Sequence, residues 1–162
     1  MIDVPDHWLW RNGPVEPGPA VVFDMDGVLS DATRRQYLVE RPRRDWDAFF
    51  EASGEDALID DVARLLDVIA DDQRIVLLTG RPVRVRPQTL RWLERHDLRW
   101  DLLIMRNWGD YEAARDFKHA TVGALRSVGL EPRLAFDDDR RNVAMFHAAG
   151  VPCIYIHSGY YD

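Results

Sequence analysis

Two aspartates one residue apart follow directly on an apolar run near the start of the chain. Val21, Val22 and Phe23 precede Asp24, and Asp26 comes after one intervening methionine. A short apolar run favours a buried strand of a parallel sheet, and ligands of such sheets lie beyond the carboxyl ends of the strands. A single aspartate after a strand is commonly a turn residue. The aspartate pair therefore indicates a catalytic or binding site only if other predicted strands also end in polar or charged side chains.

Three further apolar runs, each typical of a buried strand, also end in side chains suited to phosphate chemistry. Because parallel strands end at one edge of a sheet, we expect these side chains to border one crevice. Clustered carboxylates repel one another unless a cation lies between them, and Mg²⁺ prefers carboxylate, carbonyl and water oxygens. The runs are 74–78, followed by Thr79 and Gly80; 102–105, followed by Arg106; and 133–136, followed by Asp137, Asp138 and Asp139.

A phosphate bound beside such a cation needs further positive charge. Helix-start amides after Thr79 and a lysine side chain are suited to supply it. Lysine and arginine together number 21, and Lys118 is the only lysine. Codon preference alone could explain why arginine is so much more common than lysine. The scarcity of lysine nevertheless makes Lys118 the one candidate for a lysine ammonium group at the site.

The elements that carry these residues alternate between strand and helix. Apolar residues at helical spacing predict a helix over 58–70, and further helices are predicted at 88–96, 111–128 and 142–149. A last strand is predicted at 151–156. This alternation is typical of the α/β class, with a doubly wound parallel sheet and right-handed crossovers.

Two segments lie outside the alternation. Residues 1–19 contain two tryptophans and four prolines, which predicts an irregular N-terminal arm whose tryptophans pack on the domain. Residues 31–57 form an insert after the first strand, in which 45–50 predict a short helix buried by its aromatic side chains. We therefore expect one domain, 20–162, with a small helical cap insert.

The insert carries a local excess of arginine. The whole chain has a net charge of -7, which argues against a broad surface for coating nucleic acid. Residues 31–44, however, contain five arginines against one aspartate and one glutamate, a local net charge of +3. A solvated charged surface and contact with substrate phosphate both explain this excess. Arg43 and Arg44 are candidates for substrate binding, as are Arg81 and Arg106 at the strand ends.

The amino-acid composition limits the cellular compartment expected for the protein and the kinds of disulfide or metal site that it can form. With 46% hydrophobic and 30% charged residues the chain is typical of a globular protein, and no window has the roughly 20 apolar residues of a membrane span. The N-terminus lacks a secretory signal pattern, so a cytoplasmic protein without a membrane partner is expected. Cys153 is the only cysteine, which excludes a disulfide framework and a thiolate metal site within this chain and predicts a buried small side chain.

Four motifs, taken together and in order, resemble those of the haloacid dehalogenase-like (HAD) phosphatase superfamily. The resemblance implies the HAD fold, Mg²⁺ as cofactor and covalent catalysis through an aspartyl-phosphate. Asp24 would be the nucleophile, and Asp26 would be the general acid toward the leaving group and then the base toward water. The motifs are Asp24–Val28, Leu77–Arg81, Lys118 and Asp137–Asp138.

The resemblance also implies binding roles for the other motif residues. Thr79 and Gly80 would hold the phosphoryl oxygens, and Lys118 would neutralise them and orient the nucleophile. The metal would lie between carboxylates at Asp24, Asp26, Asp137 and Asp138.

A closer resemblance, over 20–162, is to the phosphatase domain of phage-type polynucleotide kinase/phosphatases. It rests on residues 45–50, on Arg106 after its strand, and on the C-terminal run 153–156. Lys118 precedes a histidine and the P-loop pattern is absent, so no kinase activity is expected of this chain. Asp139 stands where the phage-type pattern has an arginine, which leaves open which two of the three aspartates face the metal.

Three functions remain open from the sequence. The first is a phosphatase acting on the 3′ end of a nucleic acid or on a large nucleotide. The arginines of the insert favour it, and so does the size of the insert, since about thirty residues can hardly enclose a small ligand. The second is a nucleotidase or other small-molecule phosphatase. The third, a non-catalytic phosphate-binding module, is disfavoured because no motif residue is missing. Trp46 and Trp108 could stack on a base or pack against the domain.

Overall fold

Six strands form the central sheet of the structure, a computed structural model that describes residues 4–107 and 113–161. All neighbouring strands are parallel except for the first, which pairs antiparallel with its neighbour at one edge. Across the sheet lie β1 (Trp8–Trp10), β6 (Leu102–Arg106), β5 (Arg74–Pro82), β2 (Gly18–Phe23), β7 (Leu130–Asp137) and β8 (Cys153–Tyr155). A separate two-stranded sheet consists of β3 (Ser30–Asp31) and β4 (Ala57–Leu58).

The connections between strands reverse direction at the centre of the sheet. From β2 the chain proceeds outward through β5 to β6, and it then returns to β7 and continues outward to β8 on the other side. The switch point therefore lies between β2 and β7, where a crevice opens beyond the strand ends. This order confirms the predicted doubly wound α/β architecture. The helices are α1 (Tyr37–Glu40), α2 (Trp46–Glu51), α3 (Asp60–Val68), α4 (Arg86–Arg95), α5 (Ala114–Ser127) and α6 (Arg140–Ala148).

Side chains of β2 alternate between two hydrophobic cores. Phe23 lies in the core that contains Trp92 of α4, and Val22 lies in the core that contains Phe117 of α5. Phe23 also stacks on Phe136 of β7, with ring centroids 4.7 Å apart. Helices cover both faces, so every residue of the strand centre is apolar, as in other buried parallel strands.

Several boundaries differ from the predicted ones for local reasons. Helix α3 begins at Asp60, because Leu58 pairs with Ser30 in the small sheet. Helix α6 begins at Arg140, where the carboxylate of Asp139 accepts a hydrogen bond from the Arg141 amide and caps the helix. Residues 111 and 112 of the helix predicted over 111–128 lie outside the described residues.

The prediction of a wholly irregular N-terminal arm is wrong at Trp8–Trp10. These residues form β1, in which Trp8 is opposite Ile104 of β6 and is buried. An unpaired edge of β6 would leave backbone donors and acceptors without partners, and β1 satisfies them. Three residues are too few to show a strand periodicity, so the sequence alone did not indicate this pairing. The prediction of a buried Cys153 is also wrong, because this side chain is half-buried on the edge strand β8.

The insert folds into short helices around a small core of its own. Helix α2 occupies the predicted place, with Asp45 as its N-cap, and Phe49 is buried against Leu38 of α1. Trp46 was predicted to be buried, but it is 47% exposed and packs one side of its ring on Phe49 and Phe50. Within the described parts of the chain, no helix combines the length and the apolar character that crossing a membrane requires.

Candidate active site

Strands β2 and β7 deliver three carboxylates to the switch point, and helix α5 adds one lysine. Lys118 projects from α5 and its Nζ lies 3.1 Å from Oδ1 of Asp24 and 2.8 Å from Oδ2 of Asp137. Oxygen atoms of Asp24, Asp137 and Asp138 all lie within 4.8 Å of one another. We call these four residues the carboxylate cluster; each of them is buried.

The carboxylate cluster has the properties of a site for a hard divalent cation. Neither carboxylate oxygen of Asp138 accepts a hydrogen bond of good geometry from the described residues, although both oxygens are buried and the Ser158 hydroxyl lies nearby. By contrast, Asp137 accepts hydrogen bonds from the Asp139 amide at 3.0 Å and from Nδ2 of Asn142 at 3.2 Å. Buried carboxylate oxygens without donors are costly unless a cation supplies the missing charge, and oxygen donors of this kind suit Mg²⁺.

Burial and mutual repulsion set the charges of the carboxylate cluster. Burial raises the pKa of Asp24 well above its usual value, Lys118 opposes that change, and the charges of Asp137 and Asp138 reinforce it. Burial likewise raises the pKa of Asp138 to about 6. Burial also acts to lower the pKa of Lys118, but Asp137 and Asp24 outweigh it and the pKa is raised. The ammonium therefore stays charged, and the protein supplies one cation for three carboxylates.

Asp26 lies apart from the carboxylate cluster and is held by two arginines. Its Oδ1 accepts hydrogen bonds from Nη2 of Arg81 and from Nη2 of Arg35, each at 2.6 Å, and from Nε of Arg81 at 2.9 Å. Burial acts to raise the pKa of Asp26, but Arg81 and Arg35 outweigh it and lower the pKa. In the free protein Asp26 is thus an oriented carboxylate at neutral pH.

A second carboxylate, that of Asp56, holds the same two arginines from behind. Arg35 donates to it through Nε at 2.9 Å and through Nη2 at 2.7 Å, and Ser30 donates at 2.5 Å. The carbonyl of Asp56 accepts the indole N–H of Trp92 at 2.8 Å, which fixes this residue to α4. Two buried arginines are therefore balanced by Asp26 and Asp56. The insert contributes Arg35 and Asp56, so it helps to build the site.

The end of β5 provides hydrogen-bond donors beside the neighbouring strand β2. The hydroxyl oxygen of Thr79 accepts the Arg81 amide at 3.1 Å, so the hydroxyl proton is available to an anion. A side chain at Gly80 would meet the guanidinium of Arg106 at 3.6 Å, which places that cation next to this part of β5. Arg106 is half-buried, stacks over Phe117, and its Nε has no partner among the described residues.

Comparison with protein families decides the identity of the domain. A family model of the polynucleotide kinase PNKP phosphatase domain, within the HAD group, matches residues 18–161. The chain belongs to this family. Both the HAD resemblance and the closer one to polynucleotide kinase/phosphatases are thereby confirmed, and the chain is a phosphatase domain of the PNKP type.

Solved structures agree with this assignment at the level of fold. Two chains from Pnkp1/Rnl/Hen1 complexes, one of them described as an RNA repair complex, have TM-scores of 0.72 and 0.73 and sequence identities of 24% and 26%. They cover 92% and 89% of the PNKP-type domain, which spans only 45% and 47% of their own lengths. A HAD-like hydrolase, SP0104 of Streptococcus pneumoniae, has a TM-score of 0.60 at 14% identity, covering 84% of the domain and 83% of its own chain. A search of curated proteins found no match.

Not all of the predicted site residues lie together in the PNKP-type domain. The carboxylate cluster unites Asp24, Lys118, Asp137 and Asp138, but the Asp26 side chain, predicted as a metal ligand, is bound by arginines instead. Asp139, whose role the sequence left open, caps α6 and pairs with Arg141.

The arginines predicted to bind substrate have different positions. Arg81 is fully buried, with its guanidinium on Asp26, Ser30 and Thr89, so it positions Asp26 and does not face a substrate. Arg106 lies beside Gly80 of β5, as described above. Arg43 and Arg44 are exposed on the insert, where they line a concavity of about 480 Å³ with Arg41 and Asp45. Trp108, considered for base stacking, lies outside the described residues.

Three residues of the PNKP-type site were missed or misjudged from the sequence. Arg35 was grouped with the solvated arginines of the insert, yet it is buried on Asp26 and Asp56. Asp56 ends a stretch of irregular composition and showed no motif. Asn142 follows the aspartate motif by one helical turn, and that spacing is the one signal that could have indicated its contact with Asp137.

Asp56→Asn is expected to weaken both the fold and the reaction. The two buried arginines would keep only Asp26 as a counter-charge, and breaking such a pair typically costs about 3 to 5 kcal/mol. We expect the free energy of unfolding in urea to fall by about 3 kcal/mol, and kcat to fall by at least about tenfold because Asp26 loses its orientation. The matched control is Asp47→Asn, which removes an insert carboxylate that also pairs with an arginine but is 92% exposed. Equal stability of the two variants would contradict the role of Asp56.

Binding of Mg²⁺ is expected to weaken as the pH falls. Since the pKa of Asp138 is about 6, this side chain is a carboxylate above that pH and takes up a competing proton below it. We expect the apparent Kd for Mg²⁺, measured by isothermal titration calorimetry, to rise roughly tenfold per pH unit below 6. Asp138→Asn should weaken binding and reduce this dependence to the part due to Asp24, whose pKa is also raised, whereas Asp71→Asn, an exposed control, should change neither. The same Kd at pH 5 and pH 7 would refute the participation of Asp138.

Proposed function

We propose that this domain hydrolyses phosphomonoesters in a Mg²⁺-dependent reaction through an aspartyl-phosphate at Asp24, with the 3′-phosphate of a nucleic acid as substrate. The observation that carries the proposal is the buried carboxylate cluster at the switch point, with Lys118 between Asp24 and Asp137. Next to it stands a separate carboxylate, Asp26, held by Arg81 and Arg35. One carboxylate is thus arranged as a nucleophile and another as an acid and base.

The first half-reaction transfers the phosphoryl group to the protein. A carboxylate oxygen of Asp24 attacks phosphorus, the bond from phosphorus to the ester oxygen breaks, and Asp26 passes a proton to that oxygen. Because the pKa of Asp26 is lowered, this proton has to enter with the substrate, whose phosphate has a second pKa near 6. Lys118 fixes Asp24 and neutralises the phosphoryl oxygens, while the Thr79 hydroxyl donates to one of them.

The second half-reaction returns the domain to its starting state. Asp26, now a carboxylate, takes a proton from a water molecule that attacks phosphorus, and the bond from phosphorus to the Asp24 oxygen breaks. Inorganic phosphate then leaves with the proton that Asp26 took from water, so that Asp26 is again a carboxylate. The lowered pKa of Asp26 favours the carboxylate form that this step starts from. Asp24, Asp137 and Asp138 would hold Mg²⁺, whose charge offsets the repulsion between nucleophile and phosphate.

A nucleic-acid 3′ end as substrate is supported by the family and by the insert. The matching family model describes a polynucleotide kinase phosphatase domain, and similar Pnkp1 chains come from complexes with Rnl and Hen1. The insert helices α1 and α2 have four and six residues, which is too small a lid to enclose a metabolite. An open crevice admits the end of a polymer, and Arg43 and Arg44 on the insert are placed to attract its phosphates by charge.

A 3′-phosphorylated oligonucleotide is expected to have a higher kcat/KM than the matching 3′-mononucleotide. Remote phosphates would contribute binding energy that the mononucleotide lacks, and the advantage should shrink as salt rises. We expect about a tenfold difference at low salt, measured by release of inorganic phosphate, and we expect Arg43→Ala with Arg44→Ala to narrow it. Arg64→Ala with Arg91→Ala removes two exposed helical arginines as the control. Equal kcat/KM at every salt concentration would favour the small-molecule phosphatase.

A further inference from the structure

A second concavity lies at the start of α6, beside the carboxylate cluster. It has a volume of about 370 Å³ and is lined by Asp139, Arg140, Arg141, Tyr155 and Tyr161. Pockets that hold small organic ligands begin at about 300 Å³, so this concavity suits one nucleotide. We call it the tyrosine–arginine pocket. None of its lining residues has a role in the proposed reaction.

The tyrosine–arginine pocket combines aromatic faces with positive charge. The guanidinium of Arg140 lies 5.0 Å from the centroid of the Tyr155 ring, and that of Arg141 lies 5.7 Å from the Tyr161 ring. Asp139 neutralises Arg141 through an ion pair of 2.8 Å, whereas no ion pair within the described ranges 4–107 and 113–161 includes Arg140. The pocket therefore has a net charge of +1, centred on Arg140.

Its two tyrosines offer different surfaces. Tyr155 is half-buried and its hydroxyl is hydrogen-bonded to His157 at 3.1 Å. Tyr161 is 56% exposed, so its side chain is accessible to a ligand. A flat aromatic face next to a cation is the surface that single-stranded nucleic acid prefers, because the base stacks and the phosphate is neutralised.

The pocket begins next to the carboxylate cluster in the chain. Asp139 directly follows Asp137 and Asp138 in the chain, and a side chain at Gly27 would contact both Asp138 and Ser158, which places Ser158 of the C-terminal segment beside the carboxylate cluster. A nucleic-acid strand whose 3′ end reaches Asp24 can thus pass over this pocket.

We propose that the tyrosine–arginine pocket binds the nucleotide next to the 3′-phosphorylated terminus, with its base on Tyr161 and its phosphate at Arg140. This inference rests on the proposed function, since it assigns a subsite to the same substrate. The proposal also specifies the path of the substrate: the nucleic-acid strand leaves the reaction centre along α6. The base is bound by stacking, so every sequence should be accepted.

The test compares three substrates that share one scissile bond type. They are a 3′-phosphorylated dinucleotide, the matching 3′-mononucleotide and p-nitrophenyl phosphate, which has no nucleotide. We expect the wild-type domain to favour the dinucleotide over the mononucleotide by about tenfold in kcat/KM. Arg140→Gln and Tyr161→Ala should each reduce that ratio at least about threefold, mainly through KM. Tyr161→Phe keeps the ring and should keep the ratio.

A control variant and three contrary outcomes distinguish an error in the proposed subsite from an error in the proposed phosphatase function. Arg133→Gln, at an exposed arginine of β7, should leave all three substrates unchanged. If the wild-type ratio is high but survives both Arg140→Gln and Tyr161→Ala, the subsite is refuted while the nucleic-acid phosphatase stands. A ratio near one with hydrolysis of all three substrates refutes the subsite and points to small substrates. Absence of hydrolysis of p-nitrophenyl phosphate and both nucleotides overturns the proposed function itself.

Discussion

Asp24→Asn is expected to abolish turnover while the fold persists. A neutral amide is a poor nucleophile, and loss of a nucleophile in covalent catalysis typically lowers kcat by at least about 10⁴-fold. The variant should not lose stability, because folding raises the pKa of Asp24. A carboxyl group with a raised pKa destabilises the folded state at every pH at which it is ionised, and the amide carries no charge.

Two measurements check this expectation. Phosphate release with a 3′-phosphorylated oligonucleotide gives kcat, and thermal unfolding in EDTA gives Tm, which we expect to equal or exceed that of the wild type. Asp67→Asn, at an exposed aspartate of α3, should retain full turnover. Wild-type kcat in Asp24→Asn, once mass spectrometry has excluded deamidation to aspartate, would show that another group attacks phosphorus.

Lys118→Met is expected to impair both stability and catalysis. Methionine has a similar length and no charge, so the carboxylate cluster would lose its only protein cation. Folding raises the pKa of Lys118, so its contribution to stability is complete below the pKa of the unfolded lysine and therefore present at pH 7. We expect the free energy of unfolding to fall by about 3 kcal/mol and kcat to fall by about 10²- to 10³-fold.

Added Mg²⁺ provides a readout that a purely structural lysine would not affect. Because a divalent cation replaces part of the missing charge, Mg²⁺ should stabilise Lys118→Met more than the wild type in thermal unfolding. Arg126→Met is the control on the same helix: its ion pair with Glu131 is on the surface and should be worth less than about 1 kcal/mol. Unaltered turnover and stability in Lys118→Met would show that the ammonium is not needed at the carboxylate cluster.

The alternation of strands and helices determined the fold class and the edge of the sheet at which chemistry occurs. Apolar runs of strand length end at Asp24 and Asp137, and in a parallel sheet such ends meet at one edge. This prediction needs only local sequence patterns, because the apolar character of each run predicts its burial without knowledge of the elements that pack against it. The family motifs then named Thr79 and Lys118 as partners, and the structure places Lys118 between the carboxylates.

Partners of the charged side chains in the insert could not be predicted from the sequence. Arg35 and Arg43 stand in the same arginine-rich stretch, yet Arg35 is buried on Asp26 and Asp56 while Arg43 is exposed. Hydrophobic periodicity does not reveal which charged side chain of a stretch is buried. Burying a charge costs free energy, and only a well-placed opposite charge offsets that cost. That counter-charge, Asp56, is 21 residues away from Arg35 in the chain.

Tertiary structure alone also decided how the three consecutive aspartates divide their roles. Asp137 and Asp138 join the carboxylate cluster, whereas Asp139 turns away to cap α6 and to pair with Arg141. The sequence determined that carboxylates gather at this edge, because strand ends are a local property. Which carboxylate faces a cation, an arginine or a helix end depends on side-chain directions that are set only when β7, α5 and the insert pack together.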